Sequence, residues 1–400
     1  MNSTPSTVVY VNKVHLDDAL PAVNFTLFNA IGLALAGADT HLFVQVWQDY
    51  PDGTGWLKKF GFNDPLSLSI HQIPDRRFFG IKSNQWFYLR TFRAIRKLHK
   101  SKPVSAVISR DPGALPYLVR LKKRLGIPVF YQPHNFYLDL SLQPDINPKN
   151  ATKYHRLETT YLPGVDGLLC LQEAQADWYR RYLPDQQVVA SRPGLVSHRF
   201  SDQDRLKNPL IGYSGSLQLK KGIRVLLQAL RLLHDRGRKV PLVLIGGRNS
   251  DEIIPVQEEI ATLGLTNAVT ITGWIPFPEV EAWLDQVTIG VLPLTTGFYN
   301  QYLTAPNKLF DYLSHGIPVV ASDLPSVRDF FPDGVPGDLV PPDDSHALAA
   351  ALESLLNNPD QYNFAKDRSR QLALQYHWKN QGAIMLGHLT QLILKKSAHV

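Results

Sequence analysis

The sequence predicts an α/β protein of two doubly wound domains, each a parallel sheet with helices on both faces. Two observations carry this. Short apolar runs of strand length alternate with stretches of helical period through the first half of the chain, and the alternation starts again at Leu210. A length of 400 residues exceeds a usual single domain, so two domains of about 150 to 200 residues each are expected.

In the first half, residues 8–14 and 41–46 read as strands joined by a helix over about 21–35 that Gly37 ends. In a parallel sheet such a unit is right-handed almost without exception. Residues 78–102 mix aromatics with a basic run. A helix from about Gln85 sets Tyr88, Phe92 and Ile95 on one face and Arg90, Arg93, Arg96, Lys97 and Lys100 broadly opposite. Two readings of that basic face stay open. It is a solvated outer face, or it is drawn to an anionic membrane surface, which Phe78, Phe79, Trp86 and Phe87 would assist. Strands at 104–109 and 128–132 flank a helix at 114–125. The second of them runs into Pro133-His134-Asn135, and ligands of open parallel sheets gather beyond the carboxyl ends of strands, so His134 is a candidate for chemistry. A helix at 154–161, a strand at 167–171, a helix at 172–182 and a turn-rich linker at 190–209 follow.

From Leu210, strands at 211–214, 242–245, 269–272 and 289–292 alternate with helices at 223–236, 256–263 and 279–284. Residues 305–322, APNKLFDYLSHGIPVVAS, complete this sheet with a turn, a helix and a strand. Thr304 and Pro306 mark the helix start, and Gly316 with Pro318 its end. Lys308 and Asp311 share a face near the positive helix end. A helix start that gathers free amides, a lysine and a carboxylate is a cradle for a phosphorylated sugar compound. After Pro341-Pro342 the chain is helical over 345–357, 359–375 and 378–395, and Met385, Leu389, Leu392 and Ile393 form an apolar stripe that needs a partner.

Hydrophobic residues at 44% and charged residues at 19% describe an ordinary globular protein with ample core. The start, MNSTPSTVVYVNKV, lacks the basic segment and apolar run of a secretory signal, and no window approaches the roughly 18 uncharged apolar residues that span a bilayer. The single Cys170 excludes an internal disulfide framework and a cysteine-built zinc site and fits a reducing cytoplasm. The expected localisation is cytoplasmic, with peripheral attachment to the inner face of the membrane as a further option. A net charge of +7 suits nucleic acid, anionic lipid or an anionic substrate. With no zinc-finger spacing, RNA-binding sheet signature or long basic tail, nucleic acid is set aside.

Three loops are expected to converge at the top of the second sheet. The first, SGSLQLKKG at 214–222, carries Gly215, Ser216, Lys220 and Lys221 to a helix start. The second ends in Gly246-Gly247, where missing side chains permit close backbone approach. The third is the start of 305–322.

In the order and spacing of these loops the sequence resembles the retaining, nucleotide-sugar-dependent glycosyltransferases of the GT-B fold, the group 1 family that includes sucrose synthases and many bacterial lipid and polysaccharide glycosyltransferases. The resemblance covers most of the chain, most firmly Leu210 to Ser322. It implies an acceptor-side Rossmann-like domain at 1–195, a nucleotide-sugar donor domain at 205–375 facing it across a cleft, and a C-terminal helix at 376–400 returning to the first domain. Arg192-Pro193-Gly194-Leu195 resembles the hinge and Tyr376-His377-Trp378 the point of return. The loop with Lys221 resembles one in which an arginine and a lysine hold the donor diphosphate. Lys221 matches the lysine, and Ser216 stands where the arginine is usual, so Lys220 or Arg224 substitutes or less charge suffices. Of the family's two glutamates separated by seven residues, Asp311 takes the second place, which implies a hydrogen bond to the donor ribose, and Leu303 takes the first. Thr304 and Ala305 complete that side. Thr272-Gly273-Trp274-Ile275-Pro276 resembles the strand end that reads the nucleotide base, largely through backbone groups, and His134 the histidine that faces the transferred sugar. Residues 15–22 hold no glycine where relatives have a glycine-rich acceptor loop.

The resemblance implies retention, with the acceptor attacking from the face the nucleotide leaves. Lys221, amides near Ala305, and Lys308 would stabilise the departing diphosphate, and neither a metal nor a cofactor is expected. The acceptor is a glycan, a lipid-linked compound or a small molecule. The alternative, drawn from Ser216, Leu303 and the missing glycines, is a catalytically weak or inactive GT-B scaffold that binds sugar nucleotide or glycan.

Overall fold

The computed structural model describes residues 6–18, 21–47, 54–59, 62, 66–75, 83–144 and 146–397. Phe78 and Phe79 lie outside them, as do residues 1–5. The chain divides into two compact units, Met1–Gly194 with Trp378–Val400, and Leu195–His377.

In the first unit, β1 (Thr7–His15), β2 (Asp39–Val46), β3 (Leu68–Pro74), β4 (Val104–Ser109), β5 (Val129–Tyr131), β6 (Gly167–Cys170) and β7 (Val188–Ala190) form one sheet in the order β3-β2-β1-β4-β5-β6-β7. In the second, β8 (Ile211–Ser214), β9 (Leu242–Ile245), β10 (Val269–Ile271), β11 (Ile289–Leu292), β12 (Val319–Ser322) and β13 (Gly337–Val340) take the order β10-β9-β8-β11-β12-β13. Every pairing in both sheets is parallel. Each sheet begins at its centre, winds outward through three strands, then returns to the far side of its first strand. These reversals, between β1 and β4 and between β8 and β11, are the switch points at which doubly wound sheets bind ligands.

The continuous apolar runs became central strands: β8, β9, β11 and β12 are buried throughout. The edges read less clearly. β3 is mostly half-exposed, and β7, only three residues long, ends at Ala190, inside the stretch that reads as linker. The helix expected at 256–263 begins at Ser250, because Asn249 accepts from the Glu252 amide at 3.1 Å and Pro255 is tolerated inside the helix.

The C-terminal helix, Trp378–Ser397, lies in the first unit against the helix Pro21–Leu35. Their backbones touch: a Cβ on Gly382 would fall 2.0 Å from the Gly32 carbonyl oxygen. Met385, Leu389 and Leu392 join the core of that unit, which supplies the partner their stripe required. The basic helix is Ser83–Ser101. Tyr88 and Phe92 stack on Tyr117 at 4.9 and 5.6 Å, while Arg90, Arg93, Arg96 and Lys97 are exposed. Phe87 is fully buried, so it serves the core and offers nothing to a membrane. Trp86 is half-buried, with the Arg90 guanidinium 5.2 Å from its ring. No helix among the described residues is long and apolar enough to cross a membrane.

Candidate functional site

The second unit opens at its switch point for a definite reason. β8 and β11 pair only over Ile211 with Ile289 and Gly212 with Gly290. Tyr312, from the helix Asn307–Ser314, replaces the next rungs: its hydroxyl accepts from the Ser214 amide at 3.0 Å and lies 3.3 Å from the Gly212 and Val291 carbonyl oxygens. In the sequence, the place of Tyr312 in a helix speaks only for packing. A fully buried hydroxyl that satisfies both parted strands stabilises the opening.

The loops after β8 and β9 meet there. The Gly215 amide donates to the Ile245 carbonyl at 2.8 Å, and a Cβ on Gly246 would fall 2.0 Å from the Gly215 carbonyl oxygen. Gly246, at φ +141°, is required by this approach as well as by its backbone. Gly247 follows in the left-handed region, and the Gly246 amide donates to the Thr272 hydroxyl at 3.2 Å, which ties in the end of β10.

Lys308 comes down on this junction. Its ammonium lies 3.6 Å from the centre of the Tyr213 ring and 3.4 Å from where a Cβ on Gly215 would stand. Burial, then repulsion from Lys221, push the Lys308 ammonium down to about 7 against the pull of Asp311. Burial pushes the Asp311 carboxyl up to about 6, with Lys308 opposing. Two lysines and one carboxylate leave an excess of positive charge that an anion would neutralise. Lys221 is exposed and donates to the Ser216 hydroxyl at 2.8 Å, so Ser216 steers the lysine rather than replacing an arginine's charge. Lys220 belongs to the same short turn, Leu219–Lys221.

Thr304 and Ala305 are half-buried beside this helix start, and the Thr304 amide closes a π-turn, Tyr299–Leu303, on the Tyr299 carbonyl at 2.9 Å. Leu303 is fully buried, so its side chain serves the core. Trp274 is 58% exposed and Ile275 packs partly against the core. Sequence reasoning missed Arg248, whose guanidinium lies 5.0 Å from the Trp274 ring. It also missed Thr296, whose amide and hydroxyl both donate to Asp343, at 3.0 and 2.9 Å. Asp343 is the one non-glycine with positive φ among the described residues, at 62°.

In the first unit, His134 follows β5 and is exposed at the carboxyl edge. The surrounding protein, then the Arg110 guanidinium, push its imidazole down to about 4, so it is neutral at physiological pH. Arg110, also missed, follows β4 at the switch point; it is buried and its guanidinium lies 3.7 Å from the Phe25 ring centre. The backbone after His134 is pinned from several sides. Tyr179 donates to the Asn135 carbonyl at 2.8 Å, Gln143 to the Phe136 carbonyl at 2.6 Å, and the Tyr137 amide to Glu158 at 3.0 Å. Among the described residues no group of three or more His, Cys, Asp or Glu is placed to hold a metal.

The family description "Glycosyl transferases group 1" matches residues 208–358, and "Glycosyltransferase Family 4" matches residues 30–194. Each half of the chain thus matches a glycosyltransferase family. The chain is 30% identical over 172 residues to the amylovoran biosynthesis glycosyltransferase AmsK of Erwinia amylovora, a match covering 42% of each protein. The chain therefore spans less than half the length of that curated relative. The whole fold superposes on the sucrose-phosphate synthase of Thermosynechococcus elongatus with a TM-score of 0.68 and 17% identity, over 98% of this chain and 100% of that one. It superposes equally on Anabaena HepE in complex with UDP, with a TM-score of 0.69 and 13% identity, over 96% and 100% of the two chains. These likenesses establish the GT-B fold: two Rossmann-like parallel sheets, as the sequence implied.

Proposed function

We propose that this glycosyltransferase moves a sugar from a nucleotide-diphosphate sugar to a glycan, lipid-linked or small-molecule acceptor, with retention of configuration. The observation that carries the reading is the meeting of Gly215, Gly246 and Lys308 at the β8/β11 switch point. Bare backbone, an ammonium lacking a full counter-charge and a helix start are what a diphosphate needs. That HepE has been solved with UDP supports the same assignment.

As the sugar–phosphate bond breaks, negative charge grows on the diphosphate. Lys221, Lys308 and the first amides of Asn307–Ser314 stabilise it, and Asp311 takes the donor ribose. Trp274 and Ile275 flank the base. His134 faces the sugar as a neutral hydrogen-bonding group, since its depressed value keeps the imidazole unprotonated. The acceptor oxygen attacks from the face the nucleotide leaves, and a leaving phosphate oxygen accepts its proton. The cations placed on the diphosphate belong to the chain itself, so we propose that no metal or cofactor is used. We further propose peripheral membrane attachment on the cytoplasmic face through Arg90, Arg93, Arg96 and Lys97; binding to anionic vesicles should then be lost on charge reversal of Arg93, Arg96 and Lys97.

The reading is tested by incubating the purified protein with a panel of nucleotide sugars, with and without EDTA. Slow release of nucleoside diphosphate from one donor is expected, unchanged by the chelator, with an α-configured donor giving an α-configured product by NMR. No turnover of any donor, in the presence of sugar and lipid-linked acceptors, would favour the binding scaffold. Turnover abolished by EDTA would overturn the metal-free mechanism.

A further inference from the structure

We infer that Glu158 is a positioning residue for His134: its protonated carboxyl donates a hydrogen bond to the Tyr179 oxygen, which frees the Tyr179 hydroxyl proton to hold the Asn135 carbonyl and so fixes the loop that presents His134. The inference rests on the reading of His134 as the residue facing the transferred sugar.

Glu158 is fully buried in the helix Pro148–Tyr161, beneath the end of β5. Its carboxyl oxygens accept from the Tyr137 amide at 3.0 Å and lie 3.2 Å from the Tyr179 hydroxyl and 3.3 Å from the Tyr131 hydroxyl. Proton counting decides the pattern. A hydroxyl carries one proton, and the Tyr179 oxygen stands 2.8 Å from the Asn135 carbonyl, which can only accept. With that proton committed to Asn135, a bond between Tyr179 and Glu158 needs a proton on the carboxyl. Burial agrees, pushing Glu158 up to about 8 against the bonds from Tyr137, Tyr179 and Tyr131 that favour its ionised form.

Ionisation breaks the arrangement. A buried carboxylate takes the Tyr179 proton for itself, and the Asn135 carbonyl, one residue from His134, loses its donor. Gln143 on Phe136 and the His155 ring on the Tyr137 carbonyl at 2.7 Å remain, so the loop loosens on one side without unfolding. Tyr131, Tyr179 and Cys170 beside it are all pushed well above their ordinary values by burial. The sign follows. A carboxyl raised in the folded state contributes stability that is present at low pH and is lost as pH rises from about 4.5 toward about 8.

The test compares kcat at saturating donor, donor KM, and hydrogen exchange of the 134–137 amides for wild type, Glu158→Gln, Tyr179→Phe and His134→Ala between pH 6 and 9.5. The glutamine amide copies the protonated acid at every pH. Wild-type kcat at saturating donor should fall about tenfold as pH passes 8, as expected for a displaced group at the reacting sugar, while donor KM rises with pH alike in wild type and Glu158→Gln because Lys308 governs it in both. Glu158→Gln should keep its neutral-pH activity, lack that alkaline fall, and protect the loop amides better than wild type above pH 8. Tyr179→Phe should be low at every pH. An alkaline fall in Glu158→Gln identical to that of wild type, or loss of its activity at neutral pH while the protein remains folded, overturns the positioning role. Full activity in His134→Ala would instead sink the reading on which it rests.

Discussion

Lys221→Ala should lower kcat about a hundredfold or more, the usual consequence of removing one charge partner from a developing anion. Lys221 reaches the site from an exposed turn and is steered by the Ser216 hydroxyl, so its loss removes charge without opening the core. After burial it is the second cause that depresses Lys308, so Lys308 should be more readily protonated in the variant. The remaining lysine then binds the ground-state diphosphate better while the departing one loses a partner, so donor KM should change much less than kcat. Steady-state kinetics with the turned-over donor check this. Near-normal kcat would remove Lys221 from the mechanism.

Gly222→Ala should destabilise the second unit by about 3 to 5 kcal/mol, through a left-handed backbone and a severe clash together. Gly222 has φ +87°, and a Cβ there would fall 1.5 Å from the Pro293 carbonyl oxygen after β11. No side-chain rotation relieves a clash with backbone. The residue also opens the helix Ile223–Asp235, whose Leu226, Leu230 and Leu233 are core, so the strain cannot be passed to solvent. Chemical denaturation measures the cost. A midpoint unchanged from wild type would show that the loops after β8 and β11 do not approach as described.

The central strands of both sheets and the restart at Leu210 were legible, because a strand buried on both faces must be apolar throughout and leaves an unbroken run. Edge strands such as β3 and β13 need only partial burial, so they carry no such run. The convergence of the Gly215, Gly246 and Lys308 loops was legible because glycines, lysines and a helix start are chemically unusual together. Tyr312 was not: its position in a helix spoke for packing, and only the parted strands reveal what its hydroxyl bonds. Arg110, Arg248 and Glu158 were illegible for a related reason. Each acts through neighbours distant in sequence, Phe25, Trp274 and Tyr179. Phe87 misled because an aromatic beside a basic run reads alike on either face of a helix.

The central claim, that the β8/β11 switch point takes a nucleoside diphosphate, is tested most directly by calorimetric titration of uridine, guanosine, adenosine and thymidine diphosphates into the protein at pH 7.5 and pH 9. One of them should bind with uptake of protons, since the diphosphate restores the charge that burial and Lys221 take from Lys308, and its affinity should fall as pH rises past about 7. Absence of binding by all four, or binding left unchanged by Lys308→Met and Lys221→Ala together, would contradict it.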